Sequence, residues 1–189
     1  GGALASTSSQ GAGGYAIEGA VGMNTLTFSG GGLVGSVSVD VVFGSANVKL
    51  DLVDGDTVLS SADAKLGEGA LNLRLLGQFD IKGTGNDQAN ELAGSLGDNL
   101  IIGLGGSDVL FGAAGNDTIK GGPGFDVLYG DSGHDELLGA GNGDTLYGGE
   151  GDDVLKGGGG PDLLEGGPGA DRLFGHNAGD TLDGGEGDD

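Results

Sequence analysis

The chain has 189 residues, of which 48 are glycine, and its 29 Asp and Glu face seven Lys and Arg for a net charge of −22. With aromatics at 5% and no cysteine, it lacks the material for a large aromatic core, a disulfide framework, a thiolate zinc site or a cysteine nucleophile. A polyanion repels nucleic acid and anionic membrane, no apolar run approaches the ~20 residues of a membrane span, and cations are the natural counterpart.

Residues 1–20 are rich in Gly, Ala and Ser and read as a linker or frayed end. The Gly1-Gly2 start carries no signal peptide, so any export address is expected beyond this stretch. From 21 to 84 apolar residues alternate with polar ones: Leu26 and Phe28; Val37, Val39 and Val41; Val48, Leu50 and Leu52; Leu71, Leu73 and Leu75; Phe79 and Ile81. This predicts about five strands, with a short turn over Ser60 to Leu66 and no capped helix. Residues 1–84 carry eight acidic and four basic side chains. A β-rich flanking segment with that modest charge is expected to continue or cap whatever follows it, and to order without help from a cation.

From Gly85 the chain falls into nine-residue units without insertion or deletion, eleven complete and six residues of a twelfth ending at Asp189. Position one is glycine in all twelve. Position six is Asn90 and Asn99, then Asp108, Asp117, Asp126, Asp135, Asp144, Asp153, Asp162, Asp171, Asp180 and Asp189. Position eight is always Leu or Ile, from Leu92 to Leu182. Units such as Gly148-Gly149-Glu150-Gly151-Asp152-Asp153-Val154-Leu155-Lys156 resemble the G-G-x-G-x-D-x-U-x repeat of the RTX (repeats-in-toxin) family, a calcium-binding motif. The resemblance covers 85–189. Gln88, Asn142 and Ala178 replace glycine at position four, and position two is glycine in only five units; those loops are expected to bind more weakly or to hold a distorted turn.

The physics of the unit leads to a fold. A segment such as Val127-Leu128-Tyr129 is a minimal three-residue strand, with Leu128 on one face and its neighbours on the other. The other six residues reverse the chain, with glycines supplying positive φ. Two units then make one eighteen-residue turn, and stacked turns give two parallel sheets enclosing the Leu/Ile rows. The expected fold is all-β: a parallel β-roll of about six turns over 85–189, as the resemblance also implies.

An eighteen-residue turn stacks Asp108, Asp126, Asp144, Asp162 and Asp180 on one edge and Asp117, Asp135, Asp153, Asp171 and Asp189 on the other. Carboxylates one strand spacing apart repel unless a cation sits between them. Calcium takes six to eight oxygens, and the glycine-rich loops offer backbone carbonyls beside the carboxylates, whereas magnesium holds its waters in a rigid octahedron. These ten aspartates, with loop carbonyls, are the expected ligands of at most ten Ca²⁺ ions, the end gaps being the ones to stay empty. Metal binding and folding are then one equilibrium, because the tract without calcium has the composition of a disordered chain.

The resemblance further implies type I secretion of an unfolded chain that folds outside the cell, as part of a longer polypeptide. The other reading is a calcium-rigidified segment of a surface layer or adhesin. Phe111, Tyr129 and Tyr147 recur every eighteen residues and should stack as an outer ladder that stiffens the rod or packs on a neighbour. His134 and His176 read as loop residues. No H-E-x-x-H, G-x-S-x-G or P-loop occurs, so no catalytic role is assigned.

Overall fold

The computed structural model describes residues 22–29, 36–43, 51–54 and 56–189. The chain divides into two compact units, Gly1–Leu50 and Asp51–Asp189. In the first, β1 (Gly22–Ser29) and β2 (Ser36–Phe43) pair antiparallel, with Leu26 opposite Val39 and Phe28 opposite Val37. Alternating β-branched and polar residues suit such a pleated pair. Val48 and Leu50 lie outside the described residues.

The second unit is a β-solenoid of about seven turns. It opens with β3 (Asp51–Asp54), β4 (Thr57–Ser60), β5 (Ala64–Lys65), β6 (Asn72–Leu75), β7 (Lys82–Thr84), β8 (Glu91–Ala93) and β9 (Leu100–Ile102). Nine six-residue strands follow: β10 (Val109–Ala114), β11 (Thr118–Pro123), β12 (Val127–Ser132), β13 (Glu136–Gly141), β14 (Thr145–Glu150), β15 (Val154–Gly159), β16 (Leu163–Pro168), β17 (Arg172–Asn177) and β18 (Thr181–Glu186). Even-numbered strands from β4 to β18, with β3 at the edge, form a nine-stranded sheet, and odd-numbered strands from β5 to β17 form a seven-stranded one. All pairings are parallel except β3 with β4, an antiparallel hairpin that covers the sheet edge. No helix occurs among the described residues.

The roll is longer than the nonapeptide count predicts, because strands of residues 57–84 join both sheets. Ser60–Leu66 is not a simple turn: Ser60 ends β4 and Ala64–Lys65 is β5. The alternation at Phe79 and Ile81 does not make a strand either. Ile81 is buried just ahead of β7, while Phe79 stands exposed in a loop.

In the regular turns the expected three-residue strand is doubled. Residues 127–129 pair with 145–147, and Asp131 and Ser132 pair with Gly149 and Glu150, leaving Gly130 at the corner between two short ladders. The backbone of the loop is thereby satisfied by the next turn, as buried peptide groups require.

Leu92, Ile101, Leu110, Ile119, Leu128, Leu137, Leu146, Leu155 and Leu164 fill the interior, almost wholly removed from water. Each such side chain contributes about 1.5–3 kcal/mol by burial. Outside, Phe111 stacks on Tyr129 at 4.9 Å and Tyr129 on Tyr147 at 5.0 Å, the ladder their spacing predicts. On the other sheet Lys156 pairs with Glu136 at 2.5 Å, and this hydrogen-bonded ammonium holds the Glu136 carboxyl below its ordinary range.

Candidate metal centre

Within each regular unit positions six, eight and one all face inward, as a period of two dictates. Along one strand these are Asp126, Leu128 and Gly130, the glycine opening the next unit, and all three are buried. From Asp108 to Asp171 the side chains therefore lie at the rim of the same interior that the leucines fill, and do not project into solvent, whereas Asp180 is half-buried and Asp189 exposed at the last turn. Each closes on the turn before it: the Asp108 N–H donates to Asp126 Oδ1 (2.8 Å), Asp126 to Asp144 (2.9 Å) and Asp144 to Asp162 (2.8 Å). The second row repeats this through Asp117, Asp135, Asp153 and Asp171, with bonds of 2.7, 2.7 and 2.8 Å. The ten sequence-selected aspartates thus fall into two continuous ladders, which Asp180 and Asp189 extend by 3.0 Å bonds at the last turn.

One oxygen of each carboxylate is held this way and the other is not. Oδ2 of Asp108, Asp117, Asp126, Asp135, Asp144, Asp153, Asp162 and Asp171 is buried without a hydrogen-bond partner. A buried ionised oxygen left in that state costs several kcal/mol. Burial, opposed by the backbone hydrogen bond and reinforced by nearby aspartates, pushes Asp108 and Asp117 up to about 6 and Asp135 and Asp144 up to about 7; the neighbours are stacked row members at Asp108, Asp135 and Asp144, but Asp98 and Asp131 at Asp117. Burial likewise raises Asp126, Asp153 and Asp162.

The position-one glycine has a role here that its phase alone does not reveal. None of these glycines adopts a left-handed φ, so turn formation does not explain their invariance through the tract. A Cβ on Gly148 would fall 2.5 Å from Asp153 Oδ2 and 2.5 Å from the Gly166 carbonyl oxygen. Glycine is needed because the carboxylate and a carbonyl of the next turn share that space. Positive φ belongs instead to positions two and four, as at Gly149 (110°) and Gly151 (129°). The departures from glycine there keep the turn: Asn142 (76°) and Ala178 (94°) at position four, and Leu104, Ala113, Asp131, Ala140 and His176 at position two. Asn86 and Ser95 at position two and Gln88 at position four do not adopt it.

At the inner rim the orphaned carboxylate oxygen and a backbone carbonyl oxygen of the next turn therefore lie together, as beside Gly112, Gly130 and Gly148. Among the described residues no three carboxylate or imidazole side chains converge on one point, so an ion at this rim draws carbonyls from the main chain. That donor set fits a hard cation of variable coordination, which is calcium's chemistry and not that of a nitrogen- or sulfur-seeking metal.

Asn90 and Asn99 do something different. Their Oδ1 atoms accept from N–H groups of their own loops, at Asn86 (2.8 Å) and Ser95 (2.5 Å). A further row, not singled out from the sequence, runs along position five of alternate units. Asp98 N–H donates to Asp80 Oδ1 (3.0 Å), Asn116 to Asp98 (2.7 Å), His134 to Asn116 Oδ1 (2.8 Å) and Asp152 to His134 Nδ1 (2.8 Å). His134 is thus an acceptor that braces a loop. His176 stacks on Phe174 at 6.1 Å. The signal for the position-five row was the recurrence of short acceptor side chains every eighteen residues.

Comparison with protein families finds the RTX calcium-binding nonapeptide repeat matched four times, at residues 84–119, 111–146, 138–173 and 156–189. Comparison with curated proteins gives no match.

Proposed function

The chain belongs to the RTX calcium-binding nonapeptide-repeat family, and from that premise we propose that Asp108, Asp117, Asp126, Asp135, Asp144, Asp153, Asp162, Asp171, Asp180 and Asp189, with loop carbonyls, ligate a stack of at most ten calcium ions whose binding folds the tract. The observation that carries this reading is the eight buried carboxylate oxygens without a partner, four in each row. Bound calcium supplies positive charge between stacked carboxylates and takes up the oxygens that no donor reaches. The chain's residues do the rest: Oδ1 fixes the carboxylate on the preceding turn, position-one glycine leaves room for Oδ2, and the Leu/Ile row excludes water from the rim.

Where calcium is scarce, as in a cytoplasm, the repulsion is uncompensated and the tract stays extended. Where calcium is plentiful, outside the cell, it folds. This serves a secreted chain that passes a narrow channel unfolded, and makes the roll a folding module for a larger extracellular polypeptide. The repeat family is structural and not catalytic, and the work assigned to this chain is calcium-coupled folding.

The test is circular dichroism of the full chain during a calcium titration from chelator, with magnesium as control. A cooperative gain of β signal with calcium and not with magnesium is expected. An identical β signal in chelator and in millimolar calcium would overturn the reading.

A further inference from the structure

The two asparagine units interrupt the metal rows in a specific way. The Asn90 amide is matched on both sides, Oδ1 accepting from Asn86 N–H (2.8 Å) and Nδ2 donating to Asn86 Oδ1 (3.2 Å). Asn86 in turn donates through Nδ2 to the Gly67 (3.0 Å) and Ala70 (2.8 Å) carbonyls one turn back. Asn99 repeats the arrangement, its Nδ2 donating to Ser95 Oγ (3.1 Å) while Ser95 Oγ donates to the Phe79 carbonyl (3.1 Å). Asn90, Ser95 and Asn99 are buried, yet they are absent from the side chains with orphaned atoms, which are all aspartates from Asp108 onward. Neutral amides that donate and accept complete these loops with protein groups alone, where an aspartate, acceptor only, leaves an oxygen over.

Charge divides at the same place, while the core runs on without a break. Residues 57–102 hold six acidic and three basic side chains, whereas 103–189 hold eighteen and three. The first stretch contributes Leu66, Leu73, Leu75, Ile81, Leu92 and Ile101 to the buried cluster that continues through Leu164, so it has apolar contacts of its own without the charge. Its last turn also presents a finished edge to the first aspartate turn. Asn90 donates to Asp108 Oδ1 (2.8 Å) and Asn99 to Asp117 Oδ1 (2.6 Å). The Asn90 and Asn99 carbonyls accept from Val109 and Thr118, each at 2.9 Å.

We propose that residues 57–102 are a calcium-independent template, and that calcium-driven folding of 103–189 grows from this edge toward the C-terminal end. The inference rests on the reading that the aspartate turns fold on calcium, and assigns where that folding starts. In a solenoid each turn contacts only its neighbours, so the costly step is the first pair of turns, and a preformed turn removes it. Calcium then has to add turns one at a time to an existing ladder, which lowers the concentration it needs.

Hydrogen exchange of the full chain, resolved by segment, tests this. In chelator, amides of 72–102 are expected to exchange about a hundredfold more slowly than an unfolded chain, while those of 103–189 exchange freely. Calcium should then protect 103–189, with segments nearest 103 protected at the lowest concentration. Leu73→Ala, which touches no proposed ligand, should raise the calcium midpoint of 103–189 several-fold. If 72–102 exchanges freely in chelator while calcium still protects 103–189, or if Leu73→Ala leaves the midpoint unchanged, the template is overturned and the calcium reading stands. If 103–189 is equally protected with and without calcium, the calcium reading itself fails.

Discussion

A carboxylate at position six does two jobs with two oxygens, and substitutions separate them. Asp144→Asn keeps the Oδ1 that accepts from Asp126 N–H but removes the charge that the rim must otherwise neutralise. It should stabilise the metal-free roll in chelator at pH 8 while raising the calcium midpoint. Asp144→Ala also loses the hydrogen bond, worth about 1 kcal/mol, and should weaken both states. A chelator melt beside a calcium titration distinguishes them, and equal behaviour of the two variants would mean that charge is not the issue at this position. Acidity probes the same groups. Their carboxyls are raised in the folded state, to about 7 at Asp135 and Asp144, so the protonated form favours the roll. That stability is fully present below the unfolded value of about 3.9, and is lost as pH rises through about 6 to about 7. The metal-free chain should therefore gain β signal on acidification from pH 8 to pH 5, and calcium binding should tighten with rising pH and release protons. A calcium midpoint independent of pH across that range would remove these carboxylates from the binding sites.

At the scale of the strand and its loop, the glycine positions are not equivalent. Gly148→Ala places a methyl against Asp153 Oδ2 and the Gly166 carbonyl and should destabilise the roll by about 1–3 kcal/mol, the ordinary cost of overpacking. Gly159→Ala, whose Cβ would meet only the Ala140 carbonyl at 3.8 Å, should be nearly silent. Thermal melts in saturating calcium compare the two, and similar losses would sink the shared-space account of position one. The phase of Leu, Asp and Gly made the eighteen-residue turn, both aspartate rows and the aromatic ladder legible in the sequence, since each needs only strand alternation and stacking. Three things were not legible. That the flanking segment continues or caps the roll is an expectation the sheet order bears out, but the register of residues 57–84 is hidden, because their turns are of uneven length, Thr57 pairing with Asn72, Asn72 with Glu91 and Ala64 with Gly83. The second half of each six-residue strand, such as Gly130-Asp131-Ser132, carries no apolar signal because the neighbouring turn's backbone, and not burial, holds it. The position-one glycine looked like a turn former, because a sequence shows that a side chain is missing without showing what takes its place.

Across the whole molecule the charge is sorted and not merely large. The three basic residues of 103–189, Lys120, Lys156 and Arg172, all belong to strands of the seven-stranded sheet, away from the nine-stranded sheet with its stacked Phe111, Tyr129 and Tyr147. No basic side chain hydrogen-bonds to the carboxylate oxygens of the two rows among the described residues. The basic side chains among the described residues therefore do not neutralise the buried carboxylates, and the remedy comes from solution. Two kinds of remedy are physically distinct. Salt shortens the Debye length to about 3 Å at 1 M and weakens repulsion between exposed charges, but a screening atmosphere does not enter the dry rim where Oδ2 lies. A coordinating ion does. Molar sodium chloride in chelator should thus compact the unfolded chain without producing the roll, whereas millimolar calcium in the same buffer should produce it. Small-angle scattering with circular dichroism reads both quantities. If sodium chloride alone restored the full β signal, long-range repulsion would be the whole barrier to folding, and the orphaned oxygens would have no ion to hold.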